Sequence, residues 1–97
     1  TNKSEIKFIF KELQQGFPKE QQVAMFVGGC VRKYLSNDEI DDIDIATILT
    51  PEEVKKKFDG TGIKVIDTGI EHGSITLVYK NNKFIKLIVI TVIYFNF

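Results

Sequence analysis

Apolar residues in the first fifteen positions recur three and four apart, at Ile6, Ile9, Phe10 and Leu13, which places them on one face of a helix. Ser4 is suited to cap that helix over EIKFIFKELQQ, and Gly16-Phe17-Pro18 ends it. Residues 23–27 then form a short apolar run that predicts a buried strand, and Gly28-Gly29 turns the chain into a second helix over 30–35. The stretch 36–41 is polar and acidic, a loop. Residues 42–47, DIDIAT, alternate polar and apolar, the signature of a strand with one apolar face. Thr50-Pro51-Glu52-Glu53 predicts a helix start: threonine as N-cap, proline in the first helical position and Glu53 closing a capping box. That helix runs through Phe58 and stops near Gly60. A strand over 63–66, a loop DTGIEHG, an alternating strand over 74–79 and a turn at Asn81-Asn82 lead into a final apolar strand. This order predicts one α+β (mixed α/β) domain, a small mixed sheet flanked by helices.

Composition narrows the picture without adding chemistry. Ninety-seven residues allow a single small domain. Thirteen basic and thirteen acidic residues cancel, so no overall field advertises a nucleic-acid or membrane partner, and Arg32 is the lone arginine. The single Cys30 forms no internal disulfide and reads as a reduced thiol, either a small buried side chain or a nucleophile. Nothing at the N-terminus resembles a signal peptide, and a cytoplasmic location is expected. The chain opens on Thr rather than Met, as a fragment would.

Two features carry candidate chemistry. On a strand, residues two apart face the same way, so Asp42 and Asp44 present neighbouring carboxylates while Ile43 and Ile45 pack inward. Such a pair repels itself, and a divalent cation relieves the repulsion; magnesium combines one or two carboxylates with water and substrate phosphates. The competing reading is a solvated acidic turn, since Asp38, Glu39 and Asp41 lie just upstream. Gly28-Gly29 between a strand and a helix lets a ligand approach the backbone, with amides at a helix start that favour phosphate. Glycine turn and paired aspartates together make a plausible nucleoside-triphosphate site with Mg²⁺.

The segments VGGCVR (27–32), DIDIAT (42–47), PEEV (51–54) and IDTGIEHGSIT (66–76), in this order, strongly resemble the head domain of bacterial class II tRNA nucleotidyltransferases (CCA-adding enzymes) and poly(A) polymerases, within the polymerase-β-like nucleotidyltransferase superfamily. The resemblance covers residues 20–80. It implies nucleotide addition to RNA 3′ ends from an NTP, ATP or CTP, by two-metal-ion transfer, as CCA addition to tRNA or as polyadenylation. Asp42 and Asp44 would be catalytic and hold the Mg²⁺ ions. Gly28 and Gly29 would contact the nucleotide phosphates, with Arg32 either adding positive charge there or making a surface ion pair. His72 and Gly73 fall in what resembles the family's flexible loop, where His72 either helps position the substrate end or is an exposed loop residue.

Three departures qualify that expectation. Lys33 follows Arg32 where the family has aspartate. The family supplies a third acidic metal ligand from the strand after the hairpin, yet no Asp or Glu occurs after Glu71, and Lys86 near that place would repel a metal. The family continues into neck, body and tail domains, whereas this chain stops at Phe97, after an apolar stretch 84–97 that diverges from the family. That stretch is too short to span a bilayer, and no membrane partner is expected. It is a buried final strand or an out-of-frame product, and as an exposed apolar edge it would invite aggregation or dimerisation. The chain is therefore expected to be a truncated head, incomplete or inactive by itself. The rivals are a remnant that only binds Mg-nucleotide and the head of a split enzyme whose partner chain supplies neck and body.

Overall fold

The computed structural model describes residues 3–28, 43–79 and 83–90. The helical stripe at the N-terminus forms α1 (Lys3–Gln14), which starts two residues before the Glu5 start that a Ser4 cap predicts, and buries Ile6, Ile9 and Leu13. The strand β1 (Ala24–Val27) follows, then β2 (Asp44–Thr47). Thr50 caps α2 (Pro51–Phe58) as its sequence requires. Its hydroxyl accepts from the Glu53 amide at 3.2 Å, while the Glu53 carboxylate accepts from the Thr50 amide at 2.9 Å. Thr50→Ala removes the hydroxyl and leaves the Glu53 amide without its acceptor, so it is expected to cost about 1 kcal/mol, read as a lower urea midpoint with unchanged slope.

The remaining strands are β3 (Lys64–Gly69), β4 (Ser74–Tyr79) and β5 (Lys83–Val89). The sheet order is β1-β2-β5-β4-β3. Only β2 and β5 run parallel; every other neighbouring pair is antiparallel. Both helices cover one face, where Ile45, Leu87 and Ile75 align across β2, β5 and β4 and are fully buried. Val54 and Phe58 of α2 join the same core as the α1 stripe. Phe10 of α1 meets Phe26 of β1 ring to ring, centroids 4.8 Å apart. Thr47, the one buried polar side chain among the described residues, donates to the Val23 carbonyl at 2.8 Å and accepts from the Leu49 amide at 3.2 Å. It thereby ties the end of β2 to the entry of β1.

Two expectations change. The predicted loop 67–73 is more ordered than expected: β3 continues to Gly69 through a register irregularity after Ile66, and a 3₁₀ turn (Ile70–His72) closes the hairpin onto β4. Asp67 and Gly69 are poor strand formers in isolation, but pairing with β4 overrides that preference. Gly73 ends the turn at φ 81°, a left-handed conformation suited to glycine. The final apolar strand is not an edge. Its described part, β5, lies inside the sheet between β2 and β4, and among the described residues the edges are β1 and β3. The predicted helix over 30–35 and the Asn81-Asn82 turn lie outside the described residues, although the Tyr79–Lys83 pairing makes β4 and β5 consecutive antiparallel neighbours. No helix among the described residues is long and apolar enough to cross a membrane.

Candidate functional site

The sheet face away from the helices carries the candidate chemistry. Alternation along β2 sends Ile45 into the core, next to buried Ile43, and leaves Asp44 half-buried on the opposite face. Register fixes its surroundings: Val27 of β1 lies across from Asp44 on one side and Lys86 of β5 on the other. Beyond Lys86 the same row continues to Thr76 of β4 and Ile66 of β3. Thr76 and Thr68 share a hydroxyl–hydroxyl hydrogen bond of 2.7 Å. Apolar side chains border the row on this face, with Phe84 and Met25 more than one-third exposed.

Gly28 follows directly on Val27 and therefore stands at the Asp44 end of the β1–β2 pair. Its φ of 76° belongs to the left-handed region, and among the described residues nothing lies within 4 Å of a Cβ built there, so the glycine is needed for backbone conformation rather than for close packing. Structure and sequence agree in bringing Gly28 and Asp44 to one end of the sheet. Gly29, Arg32 and Asp42 lie outside the described residues.

His72 and Gly73 stand elsewhere. The Gly73 carbonyl accepts from the Val89 amide at 2.6 Å, which puts the 3₁₀ turn at the end of the sheet opposite Gly28. The His72 side chain is 82% exposed and its Nε2 lies 3.7 Å from the Glu71 carboxylate. Asp67, from the same stretch, pairs with Lys55 of α2 at 3.2 Å and so ties β3 to the helix layer. Among the described residues no three histidine, cysteine or acidic side chains gather as a metal site. The Thr68–Thr76 pair is the component that sequence reasoning passed over; its signal is the polar half of the alternation along 74–79.

One acid, Asp44, thus stands on an inner strand of a mixed sheet, at the end where Gly28 turns with positive φ. The sequence profile of the poly A polymerase head domain matches residues 24–93, and the chain belongs to that family. The match runs through β5, beyond the stretch 20–80 that carries the motif resemblance. The chain is 53% identical over 64 residues to a CCA-adding enzyme of Listeria monocytogenes, a stretch that is 66% of this chain and 15% of that protein. It is 51% identical over 61 residues to one from Lactobacillus delbrueckii subsp. bulgaricus, covering 63% of this chain and 14% of that protein. The crystal structure of the Bacillus stearothermophilus CCA-adding enzyme in complex with CTP superposes with a TM-score of 0.63 and 36% identity, over 88% of this chain and 19% of that one. The chain thus spans less than one-fifth of the length of each of these relatives.

Proposed function

We propose that this chain is the nucleotide-holding head of an RNA 3′-end nucleotidyltransferase. The observation that carries the reading is that the Gly28 turn follows directly on the residue paired with Asp44, at one end of the β1–β2 pair. It is supported by a crystallised relative that is a CCA-adding enzyme in complex with CTP. In the reaction, the oxygen of an RNA 3′-hydroxyl bonds to the α-phosphorus of an NTP. The bond from that phosphorus to the bridging oxygen breaks, pyrophosphate leaves, and the hydroxyl proton is released.

The chain's own contributions are separable. The Gly28-Gly29 turn admits the phosphates to the backbone, and Arg32 adds positive charge beside them. Asp42 and Asp44, hard oxygen donors two positions apart, fit the one magnesium that travels with a triphosphate, and that ion would neutralise charge on the phosphates. They do not fit a second ion: no acid follows Glu71, and the strand beside Asp44 presents Lys86. The transfer step is therefore not assigned to this chain alone. The second reading is a remnant that holds Mg-nucleotide without transferring it, and the lysine in register with Asp44 favours it.

An NMR titration of the chain with ATP and CTP, with and without Mg²⁺, tests the reading. Expected are magnesium-dependent shifts centred on Val27, Gly28 and Asp44, with His72 and Gly73 unmoved. A folded chain that shows no shifts at about millimolar nucleotide, corresponding to less than about 4 kcal/mol of binding free energy, would sink it.

A further inference from the structure

Among the described residues, the sheet face away from the helices carries one aromatic side chain, Phe84. It alternates with Ile85 and Leu87, which are fully buried under the helices, and is itself 59% exposed, the most exposed of the large apolar side chains described. A single exposed phenylalanine is ordinary on a protein surface. The position of this one is not. Register places it one strand across and two residues along from Asp44, roughly 8 Å between Cα atoms at standard strand spacing and rise. On its other side it pairs with half-buried Val78 of β4, and exposed Ile66 lies beyond on β3, so an apolar floor extends from Phe84 away from the carboxylate.

Gly28, Asp44 and Phe84 stand on β1, β2 and β5, three successive strands of the sheet. Gly28 and Phe84 both lie on the same side of the row that holds Asp44, because β1 runs against β2 and β5 runs with it. Two strand spacings, roughly 10 Å, separate β1 from β5, which matches the reach of a nucleotide from its phosphates to its base. A nucleoside triphosphate with its phosphates at the Gly28 turn and its metal at Asp44 can thus lay its base on β5. We infer that Phe84 is the stacking platform for the base of the nucleotide this head holds. An aromatic ring offers the same π surface to every base, so the contact holds the base without choosing it, and ATP and CTP gain alike. This inference rests on the nucleotide reading above and extends it from the phosphates to the base.

The test titrates the full chain with Mg-ATP, Mg-CTP and Mg-tripolyphosphate, the last offering phosphates without a base. Phe84→Ala is expected to weaken both nucleotides by about tenfold and to leave tripolyphosphate within about twofold. Phe84→Tyr keeps a ring face and is expected to hold nucleotide affinity within about twofold, whereas Phe84→Leu, apolar without a ring, loses about fivefold. The adenine protons of bound ATP are expected to shift upfield, under the ring current, in the wild type and in Phe84→Tyr but not in Phe84→Leu. Phe8 is 41% exposed on α1, which covers the other face, and Phe8→Ala is expected to change no affinity beyond about twofold. Phe84 lies outside the buried core, so these variants are expected to keep the wild-type amide spectrum; should Phe84→Ala unfold, the Tyr and Leu variants carry the comparison. Nucleotide affinities untouched by Phe84→Ala, or falling together with that for tripolyphosphate, would overturn the inference and leave the nucleotide reading standing. So would an equal loss in Phe8→Ala. A folded wild type that binds none of the three ligands overturns both.

Discussion

Leu87→Ala is expected to lower the unfolding free energy by about 2–5 kcal/mol, a large share of the roughly 5–15 kcal/mol a small domain has. Leu87 is fully buried at the middle of β5, between Ile45 of β2 and Ile75 of β4, on the face that both helices cover. Truncating it opens a cavity at the centre of the sheet, where regular pairing on both sides prevents collapse. Phe84, on the same strand, is 59% exposed on the other face, so Phe84→Ala is expected to change stability by about 0.5 kcal/mol or less. The pair of urea curves answers the question raised by the apolar final stretch. A large loss at Leu87 beside a small one at Phe84 is the behaviour of a genuine interior strand; two small effects would mean that residues 83–89 do not contribute to the fold.

The Asp42→Ala/Asp44→Ala variant is expected to lose the magnesium-dependent response to ATP and CTP, with affinity falling by about tenfold or more, while its amide spectrum stays that of the folded wild type. Asp44 is half-buried on the face away from the helices, while its neighbours Ile43 and Ile45 fill the core. The like-charge pair is the feature that makes a divalent cation favourable, and taking both carboxylates away removes the reason for it. Asp44→Asn alone separates the parts, since it preserves shape and hydrogen-bonding capacity while deleting one charge. A double variant that still shows the full metal-dependent shifts would move the metal away from these aspartates altogether.

The site was legible in the sequence to the extent that local chemistry made it so. Glycine after an apolar run announces a backbone that needs positive φ, and Gly28 has it. Aspartates two apart in an alternating stretch announce one polar face, and Asp44 stands on it. His72 was harder to place. Its stretch resembles a family loop, yet nearness to Asp44 depends on where the β3–β4 hairpin ends relative to β2, which is a property of sheet register.

Periodicity and capping chemistry by themselves determined both described helices, the strand character of 44–47 and 74–79, and the α+β class, because those signals act over a few neighbouring residues. The order of the strands, the interior position of β5 and the alignment of Lys86 with Asp44 were decided only by tertiary structure. Those pairings join residues some forty positions apart, and no local pattern encodes which strand a parallel neighbour will choose or at which residue the two will meet.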